Sequence, residues 1–249
     1  MNGFEKHNID HLSASSLNLW ANAPDVWVMQ YLHGKRTPMG AAAWRGICTE
    51  DAVVDVLMGG DLDAAVAKAE KKFDSRFPIG DETTTKERSY ISDMAALAVE
   101  ELKPYGKPEF PDHGKQHKIS ITAKGDGYEI PVIGFLDLVF PEQGLIVDLK
   151  TTTRCPSVMT HEHQLQRCIY QKAMGNMGVK FLYVTPKKTA LLEDGDVAET
   201  LARAKQQINR LEAFLKHNDK DSARATVPVN TGSFYWRGSE ALREEFYGL

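Results

Sequence analysis

The chain has 249 residues, 42% of them apolar, with a formal net charge of −4 and a pI near 6.1. That size supports one substantial core or two small ones. The mild acidity argues against a protein that coats nucleic acid through a general basic excess, and no apolar run reaches the ~18 residues of a membrane-spanning helix. Three cysteines, Cys48, Cys155 and Cys168, lack CxxC spacing, which argues against a disulfide framework or a metal centre built on cysteine alone. The polar start MNGFEKHNIDHLS carries no apolar signal segment, so the expected location is the cytoplasm.

In chain order, residues 13–33 read as helical with a break at Pro24. Residues 40–58 form a helix closed by Gly59 and Gly60. Helices over 62–76 and 84–103 follow, the second stopped by Pro104. HKISITA (117–123) alternates apolar and polar, Gly125-Asp126-Gly127 turns, and YEIPVIGFLDLVF (128–140) runs extended. Pro141 to Gly144 turns again before LIVDLKT (145–151), so the middle of the chain reads as a β-meander. Helical periodicity returns over 158–176, and short strands over 179–185 and 188–193. The helix at 197–217 places Val197, Leu201, Ala204, Ile208, Leu211 and Leu215 on a core stripe, and a short helix covers 238–247. Helices flanking a mixed sheet give an α/β or α+β class. We expect one domain, with a helical part at about 12–104, the sheet and site at about 107–193 and a helical end from about 194.

The charges in LIVDLKTTT (145–153) interrupt an otherwise buried-looking strand. If Pro141–Gly144 is a four-residue loop, Phe140 faces Leu145, and counting outward sets Asp137 across from Asp148. Opposed residues have Cβ atoms about 4.5–5.5 Å apart. Two carboxylates at that separation raise each other's pKa unless a cation lies between them. Lys150 shares a face with Asp148 because strand side chains alternate. A lysine there neutralises the pair, or it accompanies a divalent metal held by oxygen ligands, for which Mg²⁺ or Mn²⁺ is suited.

D-x10-D-x-K across a hairpin resembles the core of the PD-(D/E)XK nuclease superfamily. Asp137 matches the first motif acid, and Asp148 with Lys150 the (D/E)XK pair. QRCIY places Gln166 and Tyr170 four apart on one helix face, with His163 nearby. That spacing is similar to the Q-x-x-x-Y motif of the RecB-like exonuclease branch. RGICTEDA (45–52) resembles the helix motif of the lambda-exonuclease (YqaJ)-like branch, in which Glu50 is a further metal-site acid. LSASSLNLW (12–20) is similar to the S-x-S start of the first helix in these nucleases. There Ser13 and Ser15 cap the helix and reach a phosphate. Iron–sulfur members carry a cysteine where this chain has Ala23 before Pro24, so the resemblance implies no iron–sulfur cluster.

The resemblance therefore implies a restriction-endonuclease-like core with a central mixed sheet and a metal-dependent deoxyribonuclease, an exonuclease rather than an endonuclease. Its metal, Mg²⁺ with Mn²⁺ able to substitute, is held by Glu50, Asp137, Asp148 and the Leu149 carbonyl, with Lys150 at the reacting phosphate. DNA is guided by Ser13, Ser15, Arg45, Gln166 and Tyr170. The expected partners are linear duplex or single-stranded DNA ends, a strand-annealing or helicase protein and, in ring-forming members, further copies of the chain. The setting is DNA recombination, repair or phage replication, in a bacterial host cytoplasm if the chain is phage-encoded. A catalytically inactive DNA-binding scaffold and a non-nuclease metal-dependent hydrolase on the same fold are the alternatives.

Overall fold

Helix starts follow the capping chemistry of the sequence. In the computed structural model, which describes residues 1–78, 80–110, 116–125 and 129–249, Asn2 caps α1 (Gly3–Lys6) and Ser13 caps α2 (Ala14–Asn22). Asp61 and Asp81 cap α4's two successors, α5 (Leu62–Arg76) and α6 (Glu82–Leu102), while α4 (Ala41–Leu57) begins after Gly40 without a side-chain cap. A side-chain oxygen at this position satisfies one of the amide donors that the first helical turn leaves open. The helix expected over 13–33 is three pieces. Pro24 has no N–H to donate and is tolerated only in a first turn. It therefore opens a new helix, α3 (Pro24–Trp27), which runs into a π-helical turn at Val28–Leu32.

The described residues form two sheets. In the first, β1 (Leu12–Ser13) is parallel to β3 (Glu129–Leu136), which pairs antiparallel with β2 (His117–Lys124). In the second, β4 (Leu138–Phe140) pairs antiparallel with β5 (Leu145–Thr151), β5 lies parallel to β6 (Gly178–Val184), and β7 (Thr189–Leu192) closes the edge. α7 (His161–Met174), capped by Thr160, makes the crossover between β5 and β6. The chain then ends through α8 (Val197–His217), α9 (Lys220–Thr226), a 3₁₀ turn at Phe234–Trp236 and α10 (Glu240–Tyr247).

One expectation is corrected. The extended run ending at 140 is not one strand of a meander: it breaks at Asp137, and its halves join different sheets. The turn at 125–127 and the strand start at 128 lie partly outside the described residues. Around the hairpin the count is right, since Phe140 pairs with Leu145 and Leu138 with Val147. The β4–β5 ladder stops there, one residue short of Asp137.

The second sheet separates two apolar cores. One lies against α4, α5 and α6 and takes Leu138, Phe140, Leu145, Val147, Leu149, Leu182 and Val184 from the strands. The other lies against α2, α7 and α8 and takes Val139, Ile146, Phe181 and Tyr183. Full burial of a large apolar side chain contributes roughly 1.5–3 kcal/mol, so these two faces hold β5 rigidly from both sides. Gly46 on α4 allows the close approach: a Cβ there would meet the Thr151 hydroxyl at 3.1 Å.

Candidate active site

The break at Asp137 has a local cause. Its Oδ2 accepts a hydrogen bond from the Leu149 amide at 3.1 Å, the kind of bond a strand carbonyl would otherwise accept. The side chain thus stitches the end of β3 to β5 and turns the carboxylate towards Asp148. Gly134, three residues earlier, has no Cβ because the Tyr170 ring occupies that space, at 2.7 Å from where a Cβ would sit. Tyr170 donates from its hydroxyl to the Phe135 carbonyl at 2.6 Å, which fixes β3 against α7.

Asp148 is fully buried. Its Oδ2 accepts from the Gln166 amide at 2.8 Å, and the same nitrogen donates to the Tyr170 hydroxyl at 2.6 Å. Its Oδ1 faces the Lys150 ammonium at 2.5 Å and, beyond that ion pair, has no hydrogen-bond partner. Lys150 also lies over the Phe181 ring, 5.4 Å from its centroid. Glu50, from α4, reaches the same place. The Gln116 amide nitrogen donates to Glu50 Oε1 at 2.8 Å and to Asp137 Oδ1 at 2.9 Å, bridging the two acids.

Burial and mutual repulsion dominate the electrostatics. Desolvation raises the Asp137 pKa well above the usual carboxylate range, and the charges of Asp148 and Glu50 push it further. Asp148 is raised by burial, with Lys150 opposing. Glu50 is raised by burial and by Asp148 against the pull of the Gln116 hydrogen bond. Burial alone would lower Lys150, but Asp148, Asp137 and Glu50 outweigh it and keep the ammonium protonated. Three carboxylates face one ammonium.

That donor set fits a hard divalent cation in type and charge: oxygen ligands, an excess of negative charge and a buried carboxylate oxygen met, among the described residues, by the Lys150 ammonium alone. It is not a ready-made cage. Among the described residues no three His, Cys, Asp or Glu side chains converge on a metal position, because Glu50 and Asp137 are held by the Gln116 amide. The residues able to hold such an ion are Glu50, Asp137 and Asp148, with the Leu149 carbonyl.

A cavity of about 740 Å³ opens over this cluster, lined among others by Ser13, Ser15, Gln116, Asp137, Lys150, Gln166 and Tyr170. Ser13 spends its hydroxyl on the cap, accepting from the Ser16 amide at 3.1 Å, and meets the Ser15 hydroxyl at 2.9 Å. Gln166 and Tyr170 border the cavity, but their polar atoms hold Asp148 and β3. Arg45 is corrected. Expected at a phosphate, it is 3% exposed, ion-paired with Glu87 and 3.3 Å from the Thr151 hydroxyl. A buried guanidinium needs its partner, so Arg45 belongs to the scaffold under β5. His163 lines the cavity with Nδ1 2.6 Å from the Tyr183 hydroxyl. Burial and the Lys150 charge push its pKa down to about 4, so its imidazole is neutral.

A family model of the PD-(D/E)XK nuclease superfamily matches residues 11–233. The chain belongs to that superfamily. Its members are nucleases that use divalent metal ions, and the mixed α/β architecture around β5 is the restriction-endonuclease-like fold. A search of curated proteins finds no significant match. Among solved structures, SSO0001 is similar at 16% identity over 65% of this chain and 83% of its own, with a TM-score of 0.36. Rai1 of Scheffersomyces stipitis, in complex with (3'-NADP)+ and calcium ion, is similar at 14% identity over 99% of this chain and 84% of its own, with a TM-score of 0.32. At TM-scores this low the likenesses carry no functional argument.

Two site residues were missed by sequence reasoning. Gln116 follows a polar stretch and carries no motif; only the fold brings it between Glu50 and Asp137. Tyr235 enters the cavity from the C-terminal part of the chain, far from any pattern shared with β5 or α7.

Proposed function

We propose that this superfamily member is a Mg²⁺-dependent DNA exonuclease that acts on strand ends as a single nuclease domain, with Mn²⁺ able to replace Mg²⁺. The observation that supports this reading above all others is the trio of the half-buried Glu50 and the buried Asp137 and Asp148 facing the Lys150 ammonium, with Asp137 and Lys150 lining the cavity. Asp148 and Lys150 are locked by Gln166 and the β5–β6 pairing, so the charges are preorganised and do not have to be assembled during reaction.

Lys150 offers its ammonium to a non-bridging phosphate oxygen and offsets the charge that develops there. Glu50, Asp137 and Asp148, with the Leu149 carbonyl, would hold the cation. A divalent cation so held supplies Lewis acidity and makes hydroxide available near neutral pH. Gln166 keeps Asp148 Oδ2 oriented, and Tyr170 keeps Gln166 in place. Ser15, which lines the cavity, donates in this reading to a phosphate of the entering strand.

End-directed action rests on the resemblance of the Gln166–Tyr170 and Glu50 motifs to exonuclease branches and on the absence of a G-x-x-x-x-G-K-[ST] loop from the sequence. Such an enzyme works alone or beside a strand-annealing or helicase protein in recombination, repair or phage replication. The test is incubation with linear and closed circular DNA, with and without Mg²⁺. Loss of linear DNA alone, only with metal and not by Lys150→Ala, supports the reading. Cleavage of the circle makes the enzyme an endonuclease. Metal-independent binding without cleavage would make the chain a scaffold, and hydrolysis of a small ester but not of DNA would make it a different hydrolase.

A further inference from the structure

Among the described residues three aromatic side chains are exposed: Phe135 at 46%, Phe234 at 70% and Tyr235 at 36%. They are not scattered. Phe135 and Tyr235 both line the cavity over Lys150, and Phe234 stands beside Tyr235 with ring centroids 6.2 Å apart. An exposed aromatic ring forfeits its burial free energy, and two that line the cavity with a third beside them mark a binding surface.

Both mounts are rigid. Phe135 sits on β3 with its carbonyl held by the Tyr170 hydroxyl. Tyr235 and Phe234 sit on the 3₁₀ turn that Trp236 anchors: Trp236 is 1% exposed and donates from Nε1 to Asp25 Oδ2 at 2.8 Å. The charges nearby are poor at attracting a duplex backbone. Among the described residues that line the cavity, Lys150 is the one ammonium or guanidinium, against Asp137 and Glu162, and Arg237 lies over the Phe234 ring, 5.2 Å from its centroid. Lys118 stands opposite Phe135 in the β2–β3 register and shares its face, enough for a phosphate beside that ring but not for a basic groove.

We propose that Phe135 and Tyr235 stack on unpaired bases, so that the strand delivered to Lys150 is single-stranded where it enters the cavity. This rests on the nuclease reading and specifies its substrate. A base inside a duplex has both faces covered by its neighbours, whereas a frayed or single-stranded base has a free face for an aromatic ring. Stacking is tolerant of sequence, as digestion from an end requires. The C-terminal part of the chain, which carries no motif, acquires a role here: it supplies one wall of the base-binding cleft.

The test uses a fluorescently labelled single-stranded DNA of about 12 nucleotides, within the usual range of single-strand site sizes, and a blunt duplex of the same length. Anisotropy is read in EDTA so that binding is separated from cleavage, and 2-aminopurine in the strand reports stacking directly. Phe135→Ala and Tyr235→Ala should each weaken single-strand binding about 5- to 100-fold and relieve the 2-aminopurine quenching, leaving duplex binding unchanged. Phe135→Trp should restore both. Circular dichroism confirms folding, which exposed positions leave intact. Unchanged single-strand affinity, equal losses on both DNAs, or a change in self-association with unchanged DNA binding would each overturn the proposal. Mg²⁺-dependent cleavage is the separate readout. Cleavage with aromatic-independent binding defeats the stacking proposal alone, and aromatic-dependent binding without cleavage defeats the nuclease reading alone.

Discussion

The two faces of β5 are chemically opposite, and one of them opens at Lys150 onto the cavity. Leu145, Val147 and Leu149 point into the apolar core against α4, α5 and α6. On the other face the side chains change from Ile146 to Asp148 to Lys150 within four residues, under α7. The first face gains free energy from every atom it buries. The second spends part of that gain on desolvating charges that raise one another's pKa. A strand carries such a face only because its other face and both neighbours hold it in place. Stability and chemistry are therefore separable by side: substitutions on one face should unfold the protein, and on the other should silence it.

The largest effect is expected on the polar face. Lys150→Ala and Asp148→Asn should each lower cleavage at least about 10²–10³-fold. The melting temperature of Asp148→Asn should hold or rise, because a buried carboxylate is removed. If both variants melt early instead, the cluster is structural and the contrast between the faces fails. On the apolar face, Phe140→Ala or Leu182→Ala should cost about 3–5 kcal/mol in denaturant unfolding, with the activity per folded molecule retained.

Between these extremes lies Gln166→Ala. It removes the donor to Asp148 Oδ2 without touching the acids, and should raise the Mg²⁺ concentration needed for half-maximal activity about 10-fold while the maximal rate changes less. The smallest effect concerns His163. Its folded-state pKa of about 4 lies below the usual 6.5, so the unfolded chain takes up its proton first as pH falls. The stability this neutral imidazole contributes is complete above about 6.5 and is lost progressively down to about 4. A melting-temperature series across that window should show a decline of about 2–8 °C, flattened in His163→Gln. A slope that survives the substitution would place the acid sensitivity elsewhere.

Legibility followed the same division. Asp148 and Lys150 stood out because charges two apart in an apolar strand have few harmless explanations. Asp137 followed from counting outward from the 141–144 turn, and the β4–β5 pairing bears out that count as far as Leu138. Gln166 and Tyr170 were visible through i, i+4 spacing, and the structure joins them by a hydrogen bond. What they hold was not visible: the Asp148 carboxylate on one side and the Phe135 carbonyl on the other. Arg45 misled because a cation five residues before a site acid says nothing about direction, and Glu87, 42 residues away in sequence, claims it.

Sequence by itself determined what local chemistry dictates. The cap at Ser13, the break at Pro24, the buried run of β5 and the acid–lysine pair within it are all readable from neighbours a few residues apart. Only the tertiary structure decided where those groups point and what meets them. It split the run before Phe140 at Asp137 because a side-chain oxygen found the Leu149 amide. It set Gln116 between two acids from distant elements, and it brought Tyr235 to the cavity opened by β3 and α7. Each of those outcomes depends on packing between segments far apart in the chain: periodicity marks which face of a segment is buried but not which distant segment it meets.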